Sequence, residues 1–239
     1  MSEVAEVLHA EPSLEARSVY TFKANTHSSH TTILRLAGRG QGRRLLDVGT
    51  ADGFLAQRFA EQGWQVTGIE RDPALASLAR RYCSEVVVAD LNEGVPDLDG
   101  VFDVIIFGDV LEHLIMPEEV FQSLVRRLAN DGIIIVSVPN VAHLWVRLTL
   151  LLGQFDYADR GILDRTHLRF FTLKTFGQFL EACQVRVTTI VPVPAPLFLA
   201  IPQRYHGQWL SALHALNALG ARWWPRGLAY QFVAIGRRR

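Results

Sequence analysis

The chain contains 239 residues, of which 49% are hydrophobic and 20% are charged, and its 24 basic residues balance its 24 acidic ones. This composition is typical of a globular protein and excludes general disorder, and the length fits one domain with an appendage. Two cysteines, Cys83 and Cys183, are too few for a disulfide scaffold and form no C-x-x-C pair of the kind that binds metals.

Hydrophobic periodicity and capping residues predict the following elements. Residues 1–29 are a polar lead-in, and a helix at 30–37 is capped by Ser28 or Ser29 and ends before Gly38. Apolar strands are predicted at 44–48, 65–70, 85–90, 102–107 and 133–138, and helices at 54–61, 72–82 and 118–128. The 72–82 helix has Asp72 as N-cap and Pro73 at its first position, and residues 130–132 (Asn-Asp-Gly) form a turn.

This alternation of strands and helices determines the expected fold class. Strands without polar alternation are buried on both faces, and strands that alternate with helices form a parallel sheet through right-handed crossovers. We therefore expect a doubly wound α/β core. Ligands of such sheets bind at the carboxyl ends of the strands.

The first strand ends in a glycine-containing loop, Leu46-Asp47-Val48-Gly49-Thr50-Ala51-Asp52-Gly53. Glycine allows positive φ and close approach of a ligand to the backbone. The dinucleotide fingerprint G-x-G-x-x-G is absent, because Ala51 and Phe54 occupy its second and third glycine positions. No Gly-Lys-Ser/Thr follows, so the loop is not a P-loop either.

Acidic residues stand at the ends of the next two strands. Glu70 ends the second strand, at the position where folds of this kind bind the two hydroxyls of a ribose. The structural alternative, a capping role at the next helix, is already filled by Asp72. Asp90 ends the third strand and could accept a hydrogen bond from an adenine amino group.

Together these motifs resemble the Rossmann-like, S-adenosylmethionine-dependent methyltransferases. That family combines an L-D-x-G-x-G-x-G loop, an acid ending strand two, an Asp after strand three and a D/E-x-x-E-H segment after strand four. The last of these is Asp109-Val110-Leu111-Glu112-His113, and the resemblance covers about residues 30–190. It departs from the family at Thr50, where Cys is frequent, and at Ala51, where the central glycine stands.

The resemblance implies a seven-stranded sheet and a set of cofactor contacts. It implies a methyltransferase core at 30–193 with a substrate segment at 140–171, then a helical insertion at 194–227 and a last strand with a basic tail at 228–239. A helix at 171–183 capped by Thr172 and a strand at 185–193 are expected, and the last strand, at 228–235, runs antiparallel between strands five and six. Asp47 would orient the amino-acid end of S-adenosylmethionine, and Asp109 would flank its methionine part. The full set of expected cofactor residues is Asp47, Gly49, Thr50, Gly53, Glu70, Arg71, Asp90, Leu91, Asp109 and Val110.

Methyl transfer from a sulfonium is an in-line displacement that mainly requires positioning. A base is needed only where the acceptor must lose a proton, and the candidates are His113, His143 and His167. A structural alternative for His113 is a histidine at a helix start that pairs with Glu112.

Polar groups are unusually dense between strand five and the following helix. There the sequence D-R-T-H-x-R-F-F resembles methyltransferases encoded among sugar and cell-envelope genes. Candidate acceptor contacts are Asn140, Asp164, Arg165 and Arg169. Alternatively, Asp164 pairs with Arg165 or Arg169 and locks the loop.

A metal site is a further alternative. Asp109, Glu112 and His113, with His143 or His167, resemble the metal cluster of some quinone and small-RNA O-methyltransferases. Oxygen and imidazole ligands suit magnesium, manganese or zinc. Many relatives carry the Glu-His pair without a metal, so we expect none here.

The C-terminal part indicates contact with an anionic surface. Residues 182–239 contain seven arginines and no acid. In the insertion, tryptophans and arginines surround a predicted helix at 209–219, whose polar stripe is Ser211, His214 and Asn217. This pattern suits peripheral membrane contact, and the alternative is a dimer contact or packing on the sheet. The apolar stretch 141–152 is expected to be a buried lid or a face toward an apolar substrate.

These patterns predict the cellular setting and the activity. The N-terminus lacks an apolar signal region and no stretch offers the roughly 20 apolar residues of a spanning helix, so we expect a cytoplasmic protein or one peripheral at the inner membrane surface. We expect O-methylation of a small-molecule, glycan or lipid-linked acceptor, such as a sugar or a prenylated quinone precursor. The alternatives are a non-catalytic S-adenosylmethionine-binding partner protein and a nicotinamide-dependent oxidoreductase. Nucleic acid is not an expected partner, and the acceptor and the oligomeric state stay open.

Overall fold

The computed structural model describes residues 25–239 of the chain, so most of the predicted lead-in at 1–29 lies outside the described residues. Within this range the strands are β1 (Arg44–Val48), β2 (Gln65–Glu70), β3 (Glu85–Val88), β4 (Phe102–Gly108), β5 (Leu128–Pro139), β6 (Val185–Val193) and β7 (Gln231–Arg238). The α-helices are α1 (Ser29–Ala37), α2 (Phe54–Glu61), α3 (Pro73–Ala79), α4 (Pro117–Val125), α5 (Leu144–Leu151), α6 (Leu173–Ala182), α7 (Leu197–Ala200), α8 (Gln208–Trp223) and α9 (Pro225–Leu228). Short 3-10 helices occupy Leu111–His113 and Gln203–Tyr205.

Seven strands of the described chain form one sheet in the order β3-β2-β1-β4-β5-β7-β6. The pairs from β3 to β5 are parallel, and β7 runs antiparallel to both β5 and β6. The predicted fold class, including the position and direction of the last strand, is confirmed. From β1 the chain adds strands first on one side, β2 and β3, and then on the other, beginning with β4, so the strand order reverses between β1 and β4. Ligands of open α/β sheets bind at such a reversal.

The core lies on both faces of this sheet, because alternate residues of each buried strand point to opposite sides. In β1 and β4, Leu46 and Phe107 join a cluster covered by α4 and α6. Their neighbours Leu45 and Ile106 join a second cluster covered by α1 and α2. These positions are almost fully buried, which fixes the register of the strands whose ends carry the candidate site.

Several predicted boundaries are wrong by a few residues. The helix that begins after Asp72 ends at Ala79 instead of 82, the helix at 118–128 occupies Pro117–Val125, and the last strand begins at Gln231 instead of 228. The predicted turn at 130–132 is also wrong. β5 already begins at Leu128, and these residues form an irregularity in its pairing with β4, between the Phe102–Leu128 and Val104–Ile133 pairs.

The two apolar helices outside the core differ from expectation in their exposure. α5 is not a buried lid, because only Val146 is buried in it, whereas Leu151 is 81% exposed. In α8, His214 faces inward beside buried Leu210, and the large apolar residues Trp209, Leu213, Leu216, Leu219 and Trp223 lie outside. In the part of the chain that the structure describes, no helix combines the length and hydrophobicity needed to cross a membrane.

Candidate functional site

The loop after β1 forms the floor of the candidate site. Gly49 and Gly53 adopt φ of +72° and +85°, which glycine tolerates without strain. A Cβ on Gly49 would lie 2.8 Å from Cγ2 of Val110, and one on Gly53 would lie 2.9 Å from Cα of Ala79 in α3. These two close approaches place the loop against Val110, just after β4, and against α3.

Glu70 connects this loop to the end of β2. Its Oε2 accepts a hydrogen bond from the Ala51 N–H at 2.9 Å, and its Oε1 accepts one from the Asp72 N–H at 2.9 Å. Asp72 itself caps α3 through the Ala74 and Leu75 N–H groups, as predicted. A carboxylate offers about four lone-pair positions, so Glu70 keeps acceptor capacity for ribose hydroxyls after these two bonds.

Ala51, which replaces the central glycine of the family loop, keeps the loop conformation at a cost in strain. Its φ is +51°, a left-handed value that side chains with a Cβ rarely adopt. Its N–H points to Glu70, so the alanine is held in place by the carboxylate at the neighbouring strand end.

Asp47 lies beneath the loop and is buried, with 2% of its surface exposed. Its Oδ2 accepts a hydrogen bond from Thr50 Oγ1 at 2.8 Å. The pKa of Asp47 is raised to about 7, chiefly by burial; the Thr50 hydrogen bond lowers it and the nearby Glu70 carboxylate raises it. A cation bound above the loop would favour the ionised form of this carboxyl.

An open groove of about 650 Å³ lies at the ends of β2 and β3, where the sequence predicts the ribose and adenine contacts. Arg71 and Asp90 both line it. Asp90 Oδ1 already accepts the Asn92 N–H at 2.9 Å, which fixes the direction of its carboxylate. Leu91, also predicted as a cofactor contact, is buried in the hydrophobic core and is not among the residues that line this groove.

Asp109 ends β4 in a strained conformation, with φ of +56°. Its Oδ1 accepts from Ser137 Oγ at 2.6 Å and its Oδ2 accepts from Gln231 Nε2 at 2.8 Å. Both carboxylate oxygens are therefore oriented by side chains from β5 and β7. Sequence patterns missed Ser137 and Gln231 as site residues, because neither belongs to a motif and Gln231 lies 122 residues further along the chain.

Glu112, His113 and His167 come together at the next turn of the chain, with one ligand atom from each within 4.8 Å of the others. The rings of the two histidines lie 4.8 Å apart between centroids. Burial and the Asp109 charge hold the pKa of Glu112 well above its ordinary value. Its Oε2 has no hydrogen-bond partner within residues 25–239, so a proton or a cation would satisfy it.

The predicted acceptor segment holds this cluster in place. His113 Nδ1 lies 3.1 Å from Thr166 Oγ1, which in turn donates to Asp164 Oδ1 at 2.7 Å. His167 Nδ1 lies 3.0 Å from the Ile162 carbonyl oxygen, so Nε2 is the nitrogen left for other partners. Burial lowers the pKa of His113, and the neighbouring His167 lowers it further, so its ring is neutral near pH 7.

The polar side chains of the acceptor segment do not form the ion pairs that the sequence offered as an alternative. Asp164 accepts from the Thr166 N–H and hydroxyl, whereas Arg165 pairs with Asp159 at 2.6 Å. Arg169 donates to the Ile115 carbonyl oxygen at 2.6 Å. The lock predicted between Asp164 and either arginine is therefore wrong, and hydrogen bonds within the segment replace it.

Asn140 and His143 lie apart from the cluster and have structural partners. Asn140 is fully buried, its Nδ2 donates to the Ala229 carbonyl oxygen at 2.8 Å, and its Oδ1 accepts from the Ala142 N–H. His143 Nδ1 accepts from the Trp145 N–H and caps α5. A backbone bridge pairs Asn140 with Phe171, so the segment leaves and rejoins the core at one point.

Comparison with known proteins identifies relatives of this arrangement. The family model described as "Methyltransferase domain" matches residues 23–190. A Ubiquinone biosynthesis O-methyltransferase, mitochondrial, from Schizosaccharomyces pombe is 26% identical over 160 residues, which cover 63% of this chain and 58% of that protein. A Ubiquinone biosynthesis O-methyltransferase from Bordetella avium is 32% identical over 114 residues, covering 45% of this chain and 47% of the relative. The chain thus spans about half the length of these curated relatives.

The fold also matches solved structures. A SAM dependent methyltransferase from Archaeoglobus fulgidus superposes with a TM-score of 0.57 at 18% identity, covering 87% of this chain and 92% of that one. At this level of identity the likeness concerns the fold, and it agrees with the strand order described above.

Proposed function

Because this chain belongs to the family of methyltransferase domains, whose cofactor is S-adenosylmethionine, we propose that it transfers a methyl group to a hydroxyl oxygen of a small acceptor. The acceptor class favoured by the names of the relatives is a quinone precursor, and a glycan or lipid-linked hydroxyl is the broader class. The observation that carries the proposal is the convergence of Glu70, Asp109 and the Gly49–Gly53 turn at adjacent strand ends.

The residues at these strand ends fit the cofactor. The Gly49–Gly53 turn, the remaining acceptor capacity of Glu70 and the groove beside Asp90 follow one another at the ends of β1, β2 and β3. When bound, S-adenosylmethionine supplies a methyl group activated by a positively charged sulfur. Glu70 would bind the ribose, Asp90 the adenine side, and buried Asp47 would stabilise positive charge above the loop through the effect of its carboxylate.

Asp109 supports the binding of S-adenosylmethionine because the direction of its carboxylate is fixed. Ser137 and Gln231 hold both of its oxygens, so its carboxylate loses little further freedom when a ligand binds. Positioning of this kind is the main contribution that a protein makes to an in-line displacement. In this proposal Asp109 orients the methionine part of the cofactor.

A hydroxyl acceptor must lose a proton, and His113 is the proposed base. Its neutral ring can accept that proton, and Thr166 and Asp164 form a chain that orients it. His167 lies beside it and would support the ring as a positioning residue. His143 is less suited, because it caps α5 through Nδ1.

A bound divalent cation is a second candidate for the same task, favoured by the unpartnered oxygen of Glu112. Glu112, His113 and His167 would hold the cation, and oxygen and imidazole ligands of this kind suit magnesium, manganese or zinc. Such a cation would lower the pKa of a coordinated hydroxyl.

Calorimetric titration tests the cofactor part of the proposal. We expect S-adenosylmethionine to bind the wild type and to bind Glu70→Ala at least about tenfold more weakly, because charge-assisted hydrogen bonds to the ribose are lost. NAD is not expected to bind, because the family match leaves the oxidoreductase alternative without support. Absence of binding in the wild type would refute the proposal. Binding without methyl transfer to any hydroxyl acceptor would instead favour a non-catalytic partner protein.

We also propose that the exposed apolar helices contact a membrane surface. Trp145 and Leu151 of α5 and Trp223 of α8 are 69%, 81% and 86% exposed. A hydrogen bond from Arg147 Nη2 to the Arg226 carbonyl oxygen joins α5 to α9. Because α9 also contacts α8, the exposed residues of α5 and α8 belong to neighbouring elements. Aromatic and aliphatic side chains flanked by arginines are typical of helices that lie in a membrane interface.

A further inference from the structure

A cavity of about 360 Å³ lies beneath the insertion, beside the candidate site. Its walls come from the residues before α1, the end of β6, the helices α7 and α8, and the first residue of β7. Three histidines line it, His27, His206 and His214, and we refer to it as the histidine cavity. Gln231 also lines it and donates to Asp109, so the cavity shares a wall with the carboxylate at the end of β4.

His214 is the most unusual group in the histidine cavity. Its side chain is 4% exposed, and neither ring nitrogen has a hydrogen-bond partner among residues 25–239. Ser29 lines the same cavity, is fully buried, and its Oγ likewise has no partner in that part of the chain. Unpaired buried polar groups destabilise a protein, so two of them in the wall of one cavity point to a ligand that satisfies them.

The other walls of the cavity suit a flat ring. Phe198 contacts His206 and His214 edge-on, with ring centroids 5.4 and 5.3 Å apart and interplanar angles of 90° and 68°. The His27 and His214 rings lie 5.7 Å apart. Val193 and Leu199 add aliphatic surface. Aromatic rings prefer such edge-to-face surroundings, and a cavity of this size lies in the range of small-molecule sites.

The chemistry of His214 selects the polar part of the ligand. Burial lowers the pKa of His214, and the nearby His27 lowers it further, so the imidazole is neutral near pH 7. A neutral imidazole offers one N–H donor and one acceptor nitrogen. A hydroxyl is likewise a donor and an acceptor, and it fits this pair without a buried charge.

We propose that the histidine cavity binds the acceptor, that the acceptor is a hydroxylated aromatic ring, and that His214 selects it by a hydrogen bond to a ring hydroxyl. This inference rests on the proposed methyltransferase function, because it assigns the acceptor part of the same site. His214 acts here as a specificity-determining residue.

The test compares two probes that differ by one hydroxyl, 2-naphthol and naphthalene, titrated by fluorescence into the full chain. We expect the wild type to bind 2-naphthol about tenfold or more tightly than naphthalene, since a buried hydrogen bond is made only by the former. In His214→Phe, which keeps a flat ring, this preference should disappear while naphthalene binds as before. An equal preference in both proteins would overturn the role of His214.

A second pair of variants tests the location. Leu199→Trp fills the histidine cavity from its rim and should weaken both probes at least about tenfold. Leu216→Trp adds the same bulk on the outer face of α8 and should weaken neither. Failure of both probes to bind the wild type, or unchanged binding in Leu199→Trp, would overturn the proposal. S-adenosylmethionine is titrated into the same samples, so failure of the proposed function is seen separately from failure at the cavity.

Discussion

Gln231 donates a hydrogen bond to Asp109 across 122 residues of sequence, with 2.8 Å between Nε2 and Oδ2. The bond joins the antiparallel strand β7 to the end of the parallel strand β4. We expect Gln231→Ala to lower kcat about tenfold with catechol as acceptor, because the Asp109 carboxylate loses one of its two side-chain donors. Gln65→Ala, at the exposed start of β2, is the matched control. Equal kcat values in wild type and Gln231→Ala would contradict the positioning role.

Strain at Ala51 predicts a stabilising substitution. A left-handed residue with a Cβ costs about 1–2 kcal/mol, and the greater freedom of glycine in the unfolded chain offsets about half of this. We therefore expect Ala51→Gly to raise the melting temperature by about 2 °C. Gln184→Gly, at another position with positive φ, should give a similar rise away from the site. A lower melting temperature in Ala51→Gly would show that the Ala51 methyl contributes more through packing than it costs in strain.

Buried Asp47 predicts a pH-dependent stability. Its pKa rises from 3.8 to about 7 on folding, so the folded protein holds the proton between these values. The free energy of unfolding should therefore decrease as the pH rises through this window, by about 2–4 kcal/mol from this group. Asp47→Asn removes this decrease.

Urea unfolding at pH 4.5 and pH 8 measures the difference in the free energy of unfolding between Asp47→Asn and the wild type. Relative to the wild type, Asp47→Asn should be more stable at pH 8 than at pH 4.5. Asp131→Asn, an exposed substitution of the same kind, should give no such shift. Parallel pH curves for wild type and Asp47→Asn would contradict the raised pKa.

Chelation distinguishes the two roles of the Glu112, His113 and His167 cluster. If His113 acts as the base, His113→Ala lowers turnover of catechol by about 10²–10⁴-fold, and EDTA leaves the wild type unchanged. If the cluster holds a cation, EDTA removes activity and added magnesium, manganese or zinc restores it.

His143→Ala is expected to cost about 1 kcal/mol of stability as a lost helix cap and to leave turnover largely intact.

Membrane contact predicts binding to anionic vesicles. We expect co-sedimentation with phosphatidylglycerol vesicles that weakens with salt, and little with phosphatidylcholine. The double variant Leu151→Ser, Trp223→Ser should bind at least about tenfold more weakly, because two exposed apolar side chains are lost. Val88→Ser, at the opposite edge of the sheet, is the control. Salt-independent or absent sedimentation would refute the contact.

The sequence predicted the parts of the fold that depend on local patterns. β1, α2 and β2 occupy the predicted residues, because short apolar runs there are bounded by glycines and by the Asp72 cap. Residues 130–132 have the composition of a turn, yet pairing with β4 extends the strand through them. Tertiary pairing overrides local preference at such positions.

The residues of the candidate site also fall into those that local patterns predict and those that depend on tertiary placement. Glu70 and Asp109 were found because they end strands, and strand ends follow from local patterns. Ser137 and Gln231 were missed, because their role depends on how β5 and β7 are placed beside β4. The inward direction of His214 could not be read from α8 either, since most of the large apolar residues of that helix are exposed.

The bridge between Asn140 and Phe171 makes the segment between them a closed excursion from the sheet. Residues 151–160 are exposed throughout, so changes in length there meet solvent instead of core. The segment could therefore be exchanged for one from a relative while the cofactor half of the site keeps its geometry. The excursion and the strand ends that carry the proposed cofactor residues can thus diversify separately in this scaffold, which makes 141–170 a natural module for grafting.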